Sequence, residues 1–318
     1  MRRLISIPVC LLLTLSMTLA LPVLLPVAAL INLFPATRGA VATLAFIIGY
    51  LWCETAGIVC AVYNSLKYRD RAARLLADFR VQCWWASKLK ELAERFYRLT
   101  FTIHGEEALQ GGPALVLPRH TSIADTVLPV TYFAKPFQHH LRYVLKKELL
   151  LDPCLDIYGN RLPNFFIARG GEDTQAAITG VRTLTQSLTP GEGVLLYTEG
   201  TRFSRAKHAA MLNKADLKPE LEAQLRRWPD LLPPRLGGTL AMLQANPGRD
   251  LLFMAHVGFE GSSHFSNLIN GSWNRAQVHI EFWRVPFAEI PTTEDSLREF
   301  LFTHWDRMQE TVRKLQSL

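Results

Sequence analysis

The sequence predicts an α/β domain built on a mixed, largely parallel sheet flanked by helices, preceded by an N-terminal hydrophobic helical hairpin. Three observations carry that prediction. Short apolar runs recur after residue 100, at 114–117, 165–167, 194–197, 251–254 and 278–282, and runs of this length bounded by Gly and Pro read as buried strands. Helical candidates near 174–187, 237–244 and 296–315 fall between or after them, an alternation that implies a largely parallel sheet. Ahead of these lie two long apolar runs: Leu4 to Phe34 has no charge, and Ala40 to Val62 has only Glu54.

Each N-terminal run is long enough for a bilayer core, which takes about 20 apolar residues in a helix. Pro22 and Pro26 predict a kink or an end within the first run. Only residues 35–39 separate the two, so the pair must turn back as an antiparallel hairpin over 1–64 with both ends on one side. Those ends carry Arg2, Arg3, Lys67, Arg69, Arg71 and Arg74 against Arg38 alone in the turn. The positive-inside rule then places the ends, and the domain after them, on the cytoplasmic face of a membrane, the inner membrane if the source is bacterial. A cleaved signal peptide is the rival, although the apolar run is longer than a signal sequence needs and a second run follows it.

From 65 to 100, Leu75, Leu76, Phe79, Trp84, Trp85, Leu89, Leu92 and Phe96 alternate with Arg and Lys at helical spacing. This segment reads as one or two basic amphipathic helices at the lipid interface, or as a packing helix of the soluble domain. Charge favours lipid as the partner. Residues 1–98 hold 12 Lys and Arg against 5 Asp and Glu, whereas 99–318 hold 23 of each, so the whole net charge of +7 sits beside the apolar segments. Nucleic-acid binding, which should place basic charge on the folded domain as well, is not expected. The domain that follows is taken as 101–318. It closes with Leu297, Phe300, Leu301, Trp305, Met308, Val312 and Leu315 on one face of a helix that Thr293 or Asp295 caps. The five cysteines are scattered without Cys-x-x-Cys spacing, and Cys154 reads as a packing residue.

The chemistry concentrates directly after the first strand, in Arg119-His120-Thr121-Ser122-Ile123-Ala124-Asp125. On one continuous helix His120 and Asp125 would point apart. A helix that begins after His120, with Thr121 or Ser122 near its cap, lets Asp125 reach back to the imidazole. A carboxylate on one ring nitrogen leaves the other free to take a proton from a hydroxyl. The same spacing also suits a core-edge His bonded to a capping Asp. Glu199-Gly200-Thr201-Arg202 follows the strand at 194–197, where loops of α/β proteins bind ligands. Its Arg can grip a phosphate, or pair with the Glu to brace a turn.

With these residues in order, the sequence resembles the glycerophospholipid acyltransferase family, most of all the bacterial 1-acyl-sn-glycerol-3-phosphate acyltransferases. The family's His-x-x-x-x-Asp stands at His120 to Asp125, its Phe-Ile-x-Arg at Phe166 to Arg169, and its Glu-Gly-Thr-Arg at Glu199 to Arg202. Lys146-Lys147-Glu148-Leu149 and Leu232-Pro233-Pro234-Arg235 are similar to two looser family motifs. The resemblance implies a glycerol-3-phosphate acyltransferase-like fold and a direct acyl transfer from acyl-CoA or acyl carrier protein, with no cofactor. His120 would be the general base oriented by Asp125, and Arg169, Arg202 and Lys146 would hold the acceptor's phosphate. Glu199, Gly200 and Thr201 would position the loop or the glycerol backbone. The implied acceptor is a lysophospholipid, chiefly 1-acyl-sn-glycerol 3-phosphate, with glycerol 3-phosphate or another lysophospholipid as the alternative. The family's Asn before the motif His is Arg119 here, and its Gly before the motif Phe is Pro163; both departures bear on how the headgroup is held.

Other classes find less support. No Gly-x-Ser-x-Gly elbow marks a serine hydrolase, and Ser122 reads as a cap or bond donor. His139, His140, His256, His264 and His279 have no metal-ligand spacing, so no metal is expected. Gly191-Glu192-Gly193 precedes a strand and reads as a turn, not a nucleotide loop. A lipid-binding protein without activity remains the non-enzymatic alternative, and the sequence does not set the oligomeric state.

Overall fold

The computed structural model describes residues 2–168, 170, 174–262 and 265–318, without the side chains of Phe265 and Ser266. The N-terminal helices are α1 (Arg2–Leu19), α2 (Leu21–Ile31) and α3 (Ala40–Lys67), followed by α4 (Arg71–Tyr97). The break between α1 and α2 falls at Ala20, where Pro22 sits in the first turn of α2 and lacks the N–H a continuing helix would use. Two helical segments, Arg2–Leu19 and Pro35–Lys67, are long and apolar enough to cross a membrane. Leu4, Leu12, Leu19, Leu30 and Leu33 are among many large apolar side chains these helices leave exposed.

The first three helices form the antiparallel hairpin the short turn requires: Thr14 meets Leu51 and Thr55, and Trp52 donates to Thr18. The inner helix of the pair, α3, packs along the catalytic domain from end to end. Near its start the Gly39 N–H donates to Ile269 O, and near its end Arg161 donates to Ala61 O and Ser65 Oγ. Arg2 and Arg3 pair with Asp156 of the domain. The hairpin and domain are therefore one packed body, with Arg2 and Arg3 tied to the domain.

Most of the segment at 65–100 packs against the hairpin and the sheet. It is one helix, α4, capped by Asp70, whose side chain accepts from Ala73 N at 2.7 Å. Its apolar face buries Ala77, Phe79, Cys83, Ala86, Leu89, Ala93 and Tyr97 against α3 and the sheet. Tyr97 donates to Thr43, and Trp85 to Glu54.

The sheet has seven strands: β1 (Thr100–His104), β2 (Ala114–Pro118), β3 (His140–Lys146), β4 (Phe165–Ile167), β5 (Glu192–Leu195), β6 (Asp250–Val257) and β7 (Gln277–Val285). Their spatial order is β1-β7-β6-β2-β5-β3-β4, and every pairing is parallel except β6 with β7. The fold class is as the sequence predicts. A short helix α5 (Lys135–Phe137) leads into β3, α6 (Pro153–Arg161) joins β3 to β4, and α7 (Gln175–Gln186) joins β4 to β5. Beyond β5 come α8 (Arg205–Leu212), α9 (Pro219–Arg227) and α10 (Leu236–Gln244), and α11 (Glu294–Gln316) closes the chain.

One apolar core lies between the sheet and α3–α4 and a second between the sheet and α7, α10 and α11, while a third, smaller cluster joins α1 and α3 to α6. The second buries Leu297, Trp305, Met308, Val312 and Leu315 of α11, a helix capped by Thr293. A fully buried side chain of this size contributes about 1.5 to 3 kcal/mol. Because β2, β3, β4, β5 and β6 point the same way, their C-terminal ends share one edge, and the loops that leave it carry the site.

Candidate active site

His120 follows β2, whose five residues are all buried. Arg119 continues the ladder by donating its N–H to Met254 O. Residues 121–124 then form a turn, and helical geometry begins only at Asp125. The expected helix thus starts later than directly after His120, and the carboxylate of Asp125 is what closes the turn. Its Oδ2 accepts the N–H groups of Thr121 at 2.6 Å and Ser122 at 2.9 Å, and lies 3.0 Å from His120 Nδ1. Ser122 is a bond partner, as expected: its Oγ accepts from Ala124 N and lies 2.9 Å from Ser262 Oγ.

Burial would raise the Asp125 pKa, but His256, His120 and the Ser122 amide outweigh it and hold the carboxyl below its ordinary value. The ionised carboxylate only accepts, so His120 Nδ1 must carry the ring proton, and Nε2 keeps its lone pair. Burial lowers the His120 pKa; Asp125 opposes this, while Arg202 and His256 add to it. The net direction is down, so the imidazole is a neutral base near pH 7. Tyr197 stacks on it, with centroids 4.1 Å apart and planes at 28°.

The Glu199 loop is built onto the same residue. Glu199 is buried, and its two oxygens accept the N–H groups of His120 at 2.7 Å and Leu232 at 3.0 Å. Burial pushes its pKa up, while those two amides and Arg119 pull it down and favour the ionised form, in which both oxygens accept. The side chain therefore fixes backbone, while Gly200, Thr201 and Arg202 line the cavity. Gly200 is left-handed, at φ +66°, and a Cβ there would stand 2.5 Å from Arg235 Cδ.

His120, Arg202 and Lys146 open onto one cavity of about 780 Å³. Lys207 and Arg235 line it as well, so four basic side chains border the sheet edge. Lys207 donates to Thr201 Oγ1 at 2.9 Å and Arg202 O at 2.6 Å. Burial, Lys146 and Arg202 each lower the Lys207 pKa, a sign that the cations converge. Much of the rest of the cavity wall is apolar, with Phe46, Trp85, Leu89, Ala93, Phe101 and Trp273 among its residues, although Lys90, Glu148 and Asp152 also line it. Ile167, in register with Lys146, lines it too, but Arg169 lies outside the described residues.

The two departures from the family pattern do not reach this cavity. Arg119 is fully buried behind His120, where its guanidinium bonds Glu260 at 3.0 Å, Asp230 O and His256 O. Pro163 is exposed, in the turn before β4. Cys154 is a packing residue: it is buried, burial raises its thiol pKa, and its amide donates to Glu54. Three residues beside the dyad or the cavity were not assigned from the sequence. Tyr197 gave no signal, His256 had no spacing partner, and Lys207 had only the helix-capping Ser204 three positions earlier as a hint.

Residues 100–235 match the family model described as Acyltransferase. In fold the chain is similar to the crystal structure of the 1-acyl-sn-glycerophosphate (LPA) acyltransferase, PlsC, from Thermotoga maritima. The TM-score is 0.58 and the identity 15%, over 88% of this chain and 99% of that one. No curated protein sequence matches.

Proposed function

We propose that this chain, whose residues 100–235 match the Acyltransferase family model, moves a fatty acyl group from an acyl-CoA or acyl carrier protein thioester to the free hydroxyl of a lysophospholipid. The favoured acceptor is 1-acyl-sn-glycerol 3-phosphate, which would give phosphatidic acid. One observation carries the reading: a His–Asp dyad opens on a cavity that is cationic at one end and apolar at the other. A phosphate suits the first end and a hydrocarbon chain the second.

In this reaction the acceptor hydroxyl donates its hydrogen bond to His120 Nε2. As its oxygen attacks the thioester carbonyl, the imidazole takes the proton, and Asp125 stabilises the imidazolium that forms. The tetrahedral intermediate collapses with loss of the C–S bond, and the proton passes to the departing thiolate. Arg202, Lys146 and Arg169 hold the acceptor's phosphate, and Glu199, Gly200 and Thr201 shape the loop that presents Arg202. No cofactor is consumed.

The hairpin supports a membrane setting. Its outer face is apolar, and α3, about 42 Å long at 1.5 Å per residue, touches the domain near both ends. A full span would draw the domain's flank through a hydrocarbon core of about 30 Å. The hairpin is therefore read as lying in the cytoplasmic leaflet, with the domain held against it.

The test is a screen of detergent-purified protein with acyl-CoA and acyl carrier protein donors. The acceptors are 1-acyl-sn-glycerol 3-phosphate, glycerol 3-phosphate and a zwitterionic lysophospholipid, with products identified by mass spectrometry. Wild type should yield phosphatidic acid and His120→Ala none. Preference for another acceptor would replace the favoured substrate, and equal activity in His120→Ala would overturn the mechanism.

A further inference from the structure

We propose that His256 is a positioning residue for this reaction, an imidazole from β6 that holds the Asp125 carboxylate on the side opposite His120. The inference rests on the reading of His120 as the base and adds a second imidazole behind it.

The unequal use of the two Asp125 oxygens carries the argument. Oδ2 accepts from Thr121 N and Ser122 N and faces His120 Nδ1. Oδ1 is buried, and no hydrogen bond reaches it among the described residues. A buried carboxylate oxygen left bare is costly. The polar group beside it is His256 Nε2, 3.3 Å away, with both side chains fully buried. The same Nε2 lies 3.2 Å from the carbonyl oxygen of Arg119. A carbonyl can only accept, so Nε2 must carry the ring proton. That N–H bonds the residue before His120, and it also places its positive end 3.3 Å from the carboxylate that orients His120, an electrostatic contact and not a second hydrogen bond.

The strand ends are laced in both directions, since Arg119 in turn donates its guanidinium N–H to the His256 carbonyl. The charged or titratable groups around the His256 ring are Asp125 at the start of its helical turn, Arg119 at the end of β2, Glu260 in the loop after β6, and His120. Burial and Arg119 favour the neutral ring, while Asp125 and Glu260 oppose them; the net direction is down. His256 thus serves as a neutral donor. Its dipole draws on the same carboxylate charge that His120 uses, and so weakens the hold of Asp125 on the His120 proton.

The test compares His256→Phe, which keeps a ring and removes the donor, with His256→Gln, whose amide N–H can reach the position of Nε2. The readout is the pH profile of kcat/KM together with kcat and the acceptor KM. His256→Phe is expected to lower kcat by about 10- to 100-fold, the usual effect of losing a partner one shell out, with the acceptor KM nearly unchanged. The acid limb should move to higher pH, because His120 then holds its proton more tightly. His256→Gln should restore kcat and the limb at least in part. If His256→Phe does not fold, His256→Asn, whose shorter amide falls short of Asp125, takes its place. A wild-type kcat and limb in the donor-less variant overturns the proposal, as does an equal loss in both variants with an unmoved limb. An inactive His120→Ala beside a wild-type-like His256→Phe would sink this inference alone; an active His120→Ala would sink the reading beneath it.

Discussion

Glu199 holds His120 by its backbone: the carboxylate accepts the N–H of a residue 79 positions earlier at 2.7 Å, and its other oxygen accepts Leu232 N–H at 3.0 Å. Three chain segments meet on one buried side chain, and the base is thereby fixed relative to the loop that carries Arg202. A Glu-Gly-Thr-Arg string that reads as one binding motif thus conceals a division of labour, in which the acid builds and the later residues face the cavity.

Glu199→Gln should therefore damage catalysis more than binding. The amide can accept through one atom only, so its NH2 group meets one of two backbone N–H donors. Leaving a buried donor without an acceptor costs about 1 to 3 kcal/mol, and a displacement of the base by about 1 Å can cost about 100-fold in rate. The expected outcome is a lower Tm and a lower kcat with little change in acceptor KM. An unaltered kcat would show that the His120 amide does not need this anchor.

The pH dependence follows from the direction in which burial moves the two imidazoles. Both His120 and His256 lie below the ordinary 6.5, so in the folded state each sheds its proton more readily than in the unfolded chain. Activity needs neutral His120, and the acid limb of kcat/KM should have its midpoint below 6.5. The stability contribution of a depressed imidazole is complete above 6.5 and lost as the pH falls from there through the folded-state value, because the unfolded state binds more protons in that interval. Tm recorded from pH 8 downward should stay level at first and then decline. A limb midpoint above 6.5 would contradict the arrangement.

Much of this molecule was legible in its sequence, and the failures have physical causes. The strands β2, β6 and β7 were visible as apolar runs because they are covered on both faces or alternate cleanly, and β4 was visible from Phe165-Phe166-Ile167 although it lies at the sheet edge. The strand β3 was not, because Arg142 interrupts the run; that guanidinium is buried, paired with Glu192 and bonded to Ser187. The edge strand β1 is only partly covered and its residues give no clear pattern. The amphipathic period of α4 was plain, but a face meant for lipid and a face meant for α3 have the same spacing. The pairing of His120 with Asp125 could be inferred from local geometry. The approach of His256 could not, since 131 residues separate it from Asp125 and only the register of β2 with β6 brings them together.

Lys207 ties down the phosphate end of the cavity. Its ammonium donates to Thr201 Oγ1 and to the carbonyl of Arg202, within reach of Lys146. Lys207→Met removes both bonds and one positive charge while keeping a stem of similar length. Bonds made by a charged group contribute about 1.5 to 3 kcal/mol each, so losing part of this hold should raise the KM for a phosphate-bearing acceptor by about 10-fold, with a smaller change in kcat. A proportionate fall for an acceptor without a phosphate monoester would place Lys207 in the scaffold and not at the headgroup.

Gly200→Ala tests the loop from the other side. At φ +66° an L-residue costs about 1 to 2 kcal/mol, and the new methyl would meet the Arg235 side chain at 2.5 Å from Cδ and 2.6 Å from Nε. Arg235 is an exposed, flexible side chain that can swing away, so the variant should fold. Its expected defect is a raised acceptor KM, because the swing takes a cation from the cavity border and the strained turn shifts Arg202. A KM within twofold of wild type would show that neither displacement matters.

The apolar limb is open to a test of size. Ala93 lies on the inner face of α4, buried at 6% exposure, and borders the cavity together with Leu89 and Phe101. Ala93→Phe projects a ring into that space. Overfilling a closed core costs about 1 to 3 kcal/mol, but here the ring enters a cavity of about 780 Å³, so the loss of Tm should be small. A chain occupying this limb would then meet the ring before reaching full depth. In a donor series of increasing acyl length, kcat/KM should fall for long chains and hold for short ones, moving the optimum downward. An unshifted optimum with intact folding would mean that the transferred chain lies elsewhere.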